Sequence, residues 1–386
     1  MHLWHPHAKA GTRAARPLRV LAAALGLSLA AVIPSASATS GITGGFLFCR
    51  TVRVPVEIPG LTARGQITGD YCVPLFSNGD VLLMVAGGTE NAAYWNMPGL
   101  GSDSLVKTAA SDGYASFAID RLGTGRSTIP SSSTFVTYAA EVSTVAQVAN
   151  ALHHDPALFG RRWSQVTGVG HSLGSGTLAG VAAHYPTDFN ALIITGYGAA
   201  VTPQTAQLNA LYQVPAETVW STYAGLDTGY LTVLPDSLAV SGYFYAPDTT
   251  HAALSAAAAH EGLVAKTELL TRPQGAAAEA QGALIKVPVL VVVGQYDRHY
   301  CEDNPINEPP SIGAACADQR AFDAYEASLF SNACLATSLI AGSGHAIQEE
   351  KVAPSADKLY LNWLHLTVTR YGHTRCAVTG VYTNTR

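Results

Sequence analysis

Residues Val166 to Tyr185 read VTGVGHSLGSGTLAGVAAHY. The five at the centre, Gly170-His171-Ser172-Leu173-Gly174, restrict the possible folds more than any other stretch of the chain. Upstream, Trp163 to Gly170 alternates polar and β-branched residues as a short strand does. Downstream, the small residues Gly176, Ala179, Gly180 and Ala183 recur at helical spacing, which suits close packing on a sheet. A serine on so sharp a strand-to-helix turn sits in a strained backbone conformation and tolerates only small neighbours, hence the flanking glycines. The following helix directs its positive N-terminus at any anion formed beside the serine. G-x-S-x-G also arises in ordinary turns of glycine-rich chains. The strand before it and the helix after it favour a nucleophile over such a turn.

Strand and helix alternate around this point. Asp80–Ala86 (DVLLMVA), Tyr114–Ile119 (YASFAI), Ala191–Thr195 (ALIIT) and Val287–Gly294 (VPVLVVVG) are continuous apolar runs, the pattern of strands buried on both faces of a parallel sheet. Helices are expected over 104–111, 137–152, 317–330 and 355–366, with a last strand at 335–341. Such alternation implies right-handed crossovers and functional groups gathered at the strands' carboxyl ends. A hairpin is expected across 53–73, around Pro59-Gly60. Between 196 and 285 the pattern changes to a mostly helical stretch rich in Ala, Thr and Tyr, read as a cap over the sheet. It carries Tyr197, Tyr212, Trp220, Tyr223, Tyr230, Tyr243, Phe244 and Tyr245. Most of these suit the cap's own core, and a few suit a pocket for an apolar or aromatic substrate. The expected organisation is therefore 39–195 and 286–386 as two halves of one core, with 196–285 inserted between them.

Residues 1–38 read as a secretory signal: Lys9, Arg13, Arg16 and Arg19, then the apolar run Val20–Ile33, then Ala36-Ser37-Ala38 as cleavage site. The run is too short and alanine-rich for a membrane span, so no stable membrane anchor is expected. Its removal takes away four basic residues and no acidic one, moving the formal charge from −5 to −9. That balance disfavours nucleic acids and anionic membrane surfaces as partners. The six cysteines, Cys49, Cys72, Cys301, Cys316, Cys334 and Cys376, suggest three disulfides in a secreted chain. Cys49 and Cys72 flank the hairpin and are the first pairing expected. Cys301–Cys316 (or Cys301–Cys334) would pin the loop after Asp297, and the former leaves Cys334 for Cys376. No C-x-x-C or H-x-x-x-H spacing supports a metal site.

Ser172, Asp297 and His345 follow one another in the order serine, acid, histidine, each just after an expected strand. A serine hydroxyl needs a base to take its proton, and an imidazole needs a carboxylate to hold its tautomer. Glu302 and Asp303 are rival acids but sit past Cys301 in the loop, and His299 and His373 are rival bases but neither follows a strand in the expected place. From about Asp80 onward the chain resembles serine hydrolases of the α/β-hydrolase superfamily. The likeness is carried by Gly170–Gly174 as nucleophile elbow, by Asp120-Arg-Leu-Gly-Thr-Gly-Arg-Ser127, by Gly-Gln-Tyr-Asp297 and by Gly-Ser-Gly-His345. It implies an α/β-hydrolase fold, a mostly parallel central sheet flanked by helices, with Ser172, Asp297 and His345 as nucleophile, acid and base. It also implies an oxyanion hole formed by the N–H of Leu173 and one from the loop after the third strand. That loop reads Gly87-Gly88-Thr89 in place of the family's His-Gly, leaving Gly88 or Thr89 as second donor, with Thr89 preferred. Asp120 resembles a structural turn residue.

The function expected is hydrolysis of carboxylic esters of a small to medium apolar molecule by a secreted enzyme that needs no cofactor. Amide or peptide hydrolysis by the same triad is the alternative, although such an enzyme needs a charged anchor and the cap offers few obvious candidates. A non-catalytic binding protein is a third, which the histidine facing the serine speaks against. An aspartate nucleophile, as dehalogenases and epoxide hydrolases require, is absent at position 172.

Overall fold

The computed structural model describes residues 47–100, 104–198, 201–301 and 313–369. The expected signal segment, Glu302, Asp303, His373 and Cys376 lie outside the described residues. Among the described residues no helix is long and apolar enough to cross a membrane.

Eight strands form one sheet: β1 (Leu47–Val56), β2 (Gly65–Pro74), β3 (Asp80–Val85), β4 (Ala115–Ile119), β5 (Gln165–His171), β6 (Ala191–Thr195), β10 (Val289–Gly294) and β11 (Leu335–Ile340). Their spatial order is β1-β2-β4-β3-β5-β6-β10-β11. Pairing is antiparallel for β1–β2 and β2–β4 and parallel from β4 through β11. Helices α1 (Leu105–Ser111), α2 (Tyr138–His154), the short α3 (Pro156–Phe159) and α4 (Leu173–His184) alternate with strands β4 to β6. Capping side chains fix the starts of α1 and α2: Ser104 accepts from the Lys107 N–H and Thr137 from that of Ala140.

The apolar runs are explained by burial on both faces. Val81, Leu83 and Val85 enter one core, while Leu82 and Met84 enter the other. In β10, Val289, Val291 and Val293 divide from Leu290 and Val292 in the same way. Every one of these side chains is at most 1% exposed. The expected hairpin is β1–β2, in which Cys49 stands opposite Cys72 and is disulfide-bonded to it.

Residues 201–285 hold helices α5 (Pro203–Tyr212), α6 (His251–Ala259), α7 (Lys266–Thr271) and α8 (Ala276–Gly282). They also hold a small antiparallel sheet that the sequence pattern does not announce: β7 (Gln213–Pro215), β8 (Tyr230–Val233) and β9 (Val264–Ala265). After β10, α9 (Gln319–Glu326) ends four residues before the expected Phe330, and α10 (Ala353–Leu364) packs against α1. Cys301 is bonded to Cys316, as expected. Cys334 has a disulfide partner, but Cys376, the one expected, is outside the described residues.

Candidate active site

Ser172 ends β5 and begins α4 with φ +49° and ψ −118°. Among the described residues only one other non-glycine has positive φ: Thr89, at +60°. Left-handed backbone at a serine and a β-branched threonine is costly and persists only where the surroundings impose it. The surroundings are the reason the flanking residues are glycines. A Cβ on Gly174 would stand 2.3 Å from the Val85 carbonyl oxygen, and one on Gly170 would stand 2.5 Å from Ser175 Cα. The turn is tied to the next strand by the Ser172 N–H, which donates to the Thr195 carbonyl at 2.8 Å. The Ser175 hydroxyl donates to the same oxygen at 2.9 Å. Leu173 is the first residue of α4, where a backbone N–H has no partner within the helix.

Asp297 follows β10 and His345 follows β11, adjacent strands of the sheet. Their side chains meet, His345 Nδ1 lying 2.7 Å from Asp297 Oδ2 with both residues buried. The other carboxylate oxygen, Oδ1, accepts the N–H groups of His299 at 2.7 Å and Tyr300 at 3.2 Å. The turn bearing His345 is held by Glu350, whose carboxylate accepts from the Ser343 hydroxyl, the Gly344 N–H and the Tyr245 N–H. Burial raises the Glu350 carboxyl to about 7 despite these donors.

A small cleft opens beside Ser172, Leu173 and Gly88, with Tyr243, His299 and Tyr300 on its wall. Those three rings stand 5.8, 4.6 and 6.0 Å from the His345 ring, so the Asp297–His345 pair lies next to the wall of the serine's cleft. The lining is mixed rather than purely apolar, since Thr205, Asn209, Gln213 and Arg272 share it with Leu269. Of the expected cap aromatics, Tyr243 is the one that borders this cleft. Tyr230 is packed in the core, its hydroxyl on the Pro130 carbonyl.

Sequence reading passed over four residues here. Arg121, in the loop after β4, is 1% exposed and donates to the carbonyls of Ala86 (3.1 Å) and Gly87 (3.0 Å). It also pairs with Glu141 of α2 at 3.2 Å and with Glu268 of α7. Glu90 accepts the Gly87 N–H at 2.7 Å and lies 3.5 Å from His171 Nε2. Burial pushes its carboxyl up to about 7. His171 is fully buried, stacks on Tyr94 at 4.5 Å, and is held by that burial well below the usual histidine range. Arg272, at the end of α7, brings a positive charge to the cleft. Only their placement in space marks these residues. Asp120 has the structural part expected of it: it accepts from the backbone N–H groups of Ala92 and Arg126, and from the Arg126 side chain. His299 stacks on Tyr243, and burial lowers its pKa well below the usual value. Among the described residues no group of His, Cys, Asp and Glu has a geometry that could hold a metal ion.

Known proteins share this architecture. A thermophilic esterase from Thermogutta terrifontis superposes with a TM-score of 0.55 at 16% identity, covering 81% of this chain and 98% of its own. A Bacillus subtilis carboxylesterase gives 0.51 at 14% identity, with 82% and 92% covered. A Bacillus anthracis bromoperoxidase gives 0.51 at 15%, with 81% and 99% covered. At such identities the likeness establishes the fold and not the reaction. No curated protein matches the chain. The family model described as "Alpha/beta hydrolase family" matches residues 82–357, well over half the sequence. The chain therefore belongs to the alpha/beta hydrolase family and has its fold.

Proposed function

We propose that the protein is a secreted serine hydrolase that cleaves carboxylic esters of small to medium size through an acyl-enzyme on Ser172. The observation that carries this reading is the strained Ser172 at the strand-to-helix turn, with the hydrogen-bonded Asp297–His345 pair next to the wall of its cleft. With Nδ1 engaged by Asp297, His345 has Nε2 left to take the Ser172 proton as the hydroxyl attacks the ester carbonyl. The resulting oxyanion is stabilised by the Leu173 N–H at the start of α4. The second donor is assigned to Gly88, which borders the same cleft as Ser172; Thr89, the residue preferred from sequence, lines a neighbouring one. One such donor is worth about 3 kcal/mol of barrier. Collapse expels the alcohol, which takes its proton from His345. The same imidazole then activates water to release the acid.

The test is hydrolysis of p-nitrophenyl esters from acetate to decanoate by the wild-type protein and by Ser172→Ala, with fluorophosphonate labelling in parallel. Turnover and labelling that both vanish in the variant support the proposal, and the preferred chain length measures the cleft. Neither turnover nor labelling in the wild type would overturn it.

A further inference from the structure

Arg272 is the one residue bordering the Ser172 cleft with a permanent charge, since burial keeps His299 neutral there. Buried Arg121 has Glu141 and Glu268 as partners, and exposed Arg126 has Asp70 and Asp120. Among the described residues no carboxylate lies within ion-pair distance of Arg272. The guanidinium is hydrogen-bonded to the Tyr300 side chain and feels the charge of Glu268, but its Nε is buried without a hydrogen-bond acceptor. Buried N–H groups are almost always satisfied, so a guanidinium that borders a cleft with hydrogen-bonding capacity unspent is suited to take an acceptor from a bound molecule. Arg272 and Tyr300 also border the adjoining cleft lined by Tyr197 and Pro273, so the guanidinium stands between the two spaces.

Building on the ester-hydrolase reading above, we infer that Arg272 anchors a carboxylate carried by the substrate, so that the esters cleaved at Ser172 are compact and anionic. A guanidinium fork matches a carboxylate in two parallel hydrogen bonds, and these are worth most in a site shielded from water. The polar Thr205, Asn209 and Gln213 suit such a substrate better than a long hydrocarbon chain.

The experiment compares two anionic esters with neutral counterparts of similar size, using the full chain. Mono-p-nitrophenyl glutarate against p-nitrophenyl valerate places the carboxylate on the acyl arm; 4-acetoxybenzoate against phenyl acetate places it on the alcohol arm. The expected result is a preference in kcat/KM of roughly 10- to 100-fold for an anionic ester of at least one pair. That ratio should collapse in Arg272→Gln, recover in part in Arg272→Lys, and shrink with added salt. A role confined to folding would lower both members of a pair alike and leave the ratio unmoved. No preference in either pair, or one that survives Arg272→Gln, overturns the inference while leaving the esterase reading intact. Should no ester be turned over and Ser172 resist fluorophosphonate, the esterase reading fails by itself. Calorimetric binding of glutarate to the wild type and to Arg272→Gln then decides on Arg272: binding lost in the variant supports an anion anchor, and equal or absent binding overturns it.

Discussion

Asp297 presents two oxygens with different tasks. One accepts the N–H groups of His299 and Tyr300 and so fixes the carboxylate, and the other receives the His345 ring. An amide at this position keeps the shape but can offer an N–H to Nδ1, leaving the proton on the wrong ring nitrogen. Asp297→Asn should therefore lower kcat about 10⁴-fold with little change in stability. Stopped-flow acylation rates would check this, and a loss below tenfold would remove Asp297 from the proposed chemistry. The strain at Ser172 and Thr89 belongs to the same scale, since both residues are held where an unconstrained chain would not leave them.

Among the elements, Arg121 joins parts that are distant in sequence. Its guanidinium bonds to the carbonyls just after β3, to Glu141 on α2 and to Glu268 on α7, and so ties α7 to the loop that bears Gly88. Removing the arginine strands two carboxylates without water. Arg121→Met should cost about 3–5 kcal/mol, read from urea midpoints. Adding Glu141→Gln and Glu268→Gln should restore much of that loss. A triple variant no more stable than the single one would argue that the arginine acts through packing alone. These connections also mark the limits of sequence reading. Strands β3, β6 and β10 are legible because burial on both faces writes an unbroken apolar run. Ser172, Asp297 and His345 are legible because each sits beside a strand end in a local pattern. Strands β7 to β9 are two to four residues long, too short to impose a period. Glu90 and Arg121 take their meaning from partners distant in sequence, His171 and Glu268, and Arg272 from a cleft that exists only after folding.

The molecule as a whole encloses an unusual set of ionisable groups. Burial raises Glu90 and Glu350 to about 7 and raises Glu261 and Glu349 as well, whereas it lowers His171 and His299. A carboxyl whose folded pKa exceeds its unfolded value contributes stability below the unfolded pKa and loses it as pH rises through the folded one. The depressed histidines act oppositely, with stability lost as pH falls below their unfolded value near 6.5. The two effects oppose each other until the unfolded histidines have lost their protons, about a unit above 6.5, and the four raised carboxyls outnumber the two histidines throughout. The melting temperature should therefore fall between pH 6.5 and 8, and Glu90→Gln should flatten that fall while keeping an acceptor for the Gly87 N–H. Calorimetry at the two pH values tests this, and identical slopes for parent and variant would reject it. The glycines pressed against backbone at the Ser172 turn bear on inheritance as well as geometry. Every third-base change in a glycine codon is silent, while every change at its first or second base either adds a side chain or ends the chain. In the gene, the codons for Gly170 and Gly174 should therefore drift freely at one letter and hardly at all at the other two.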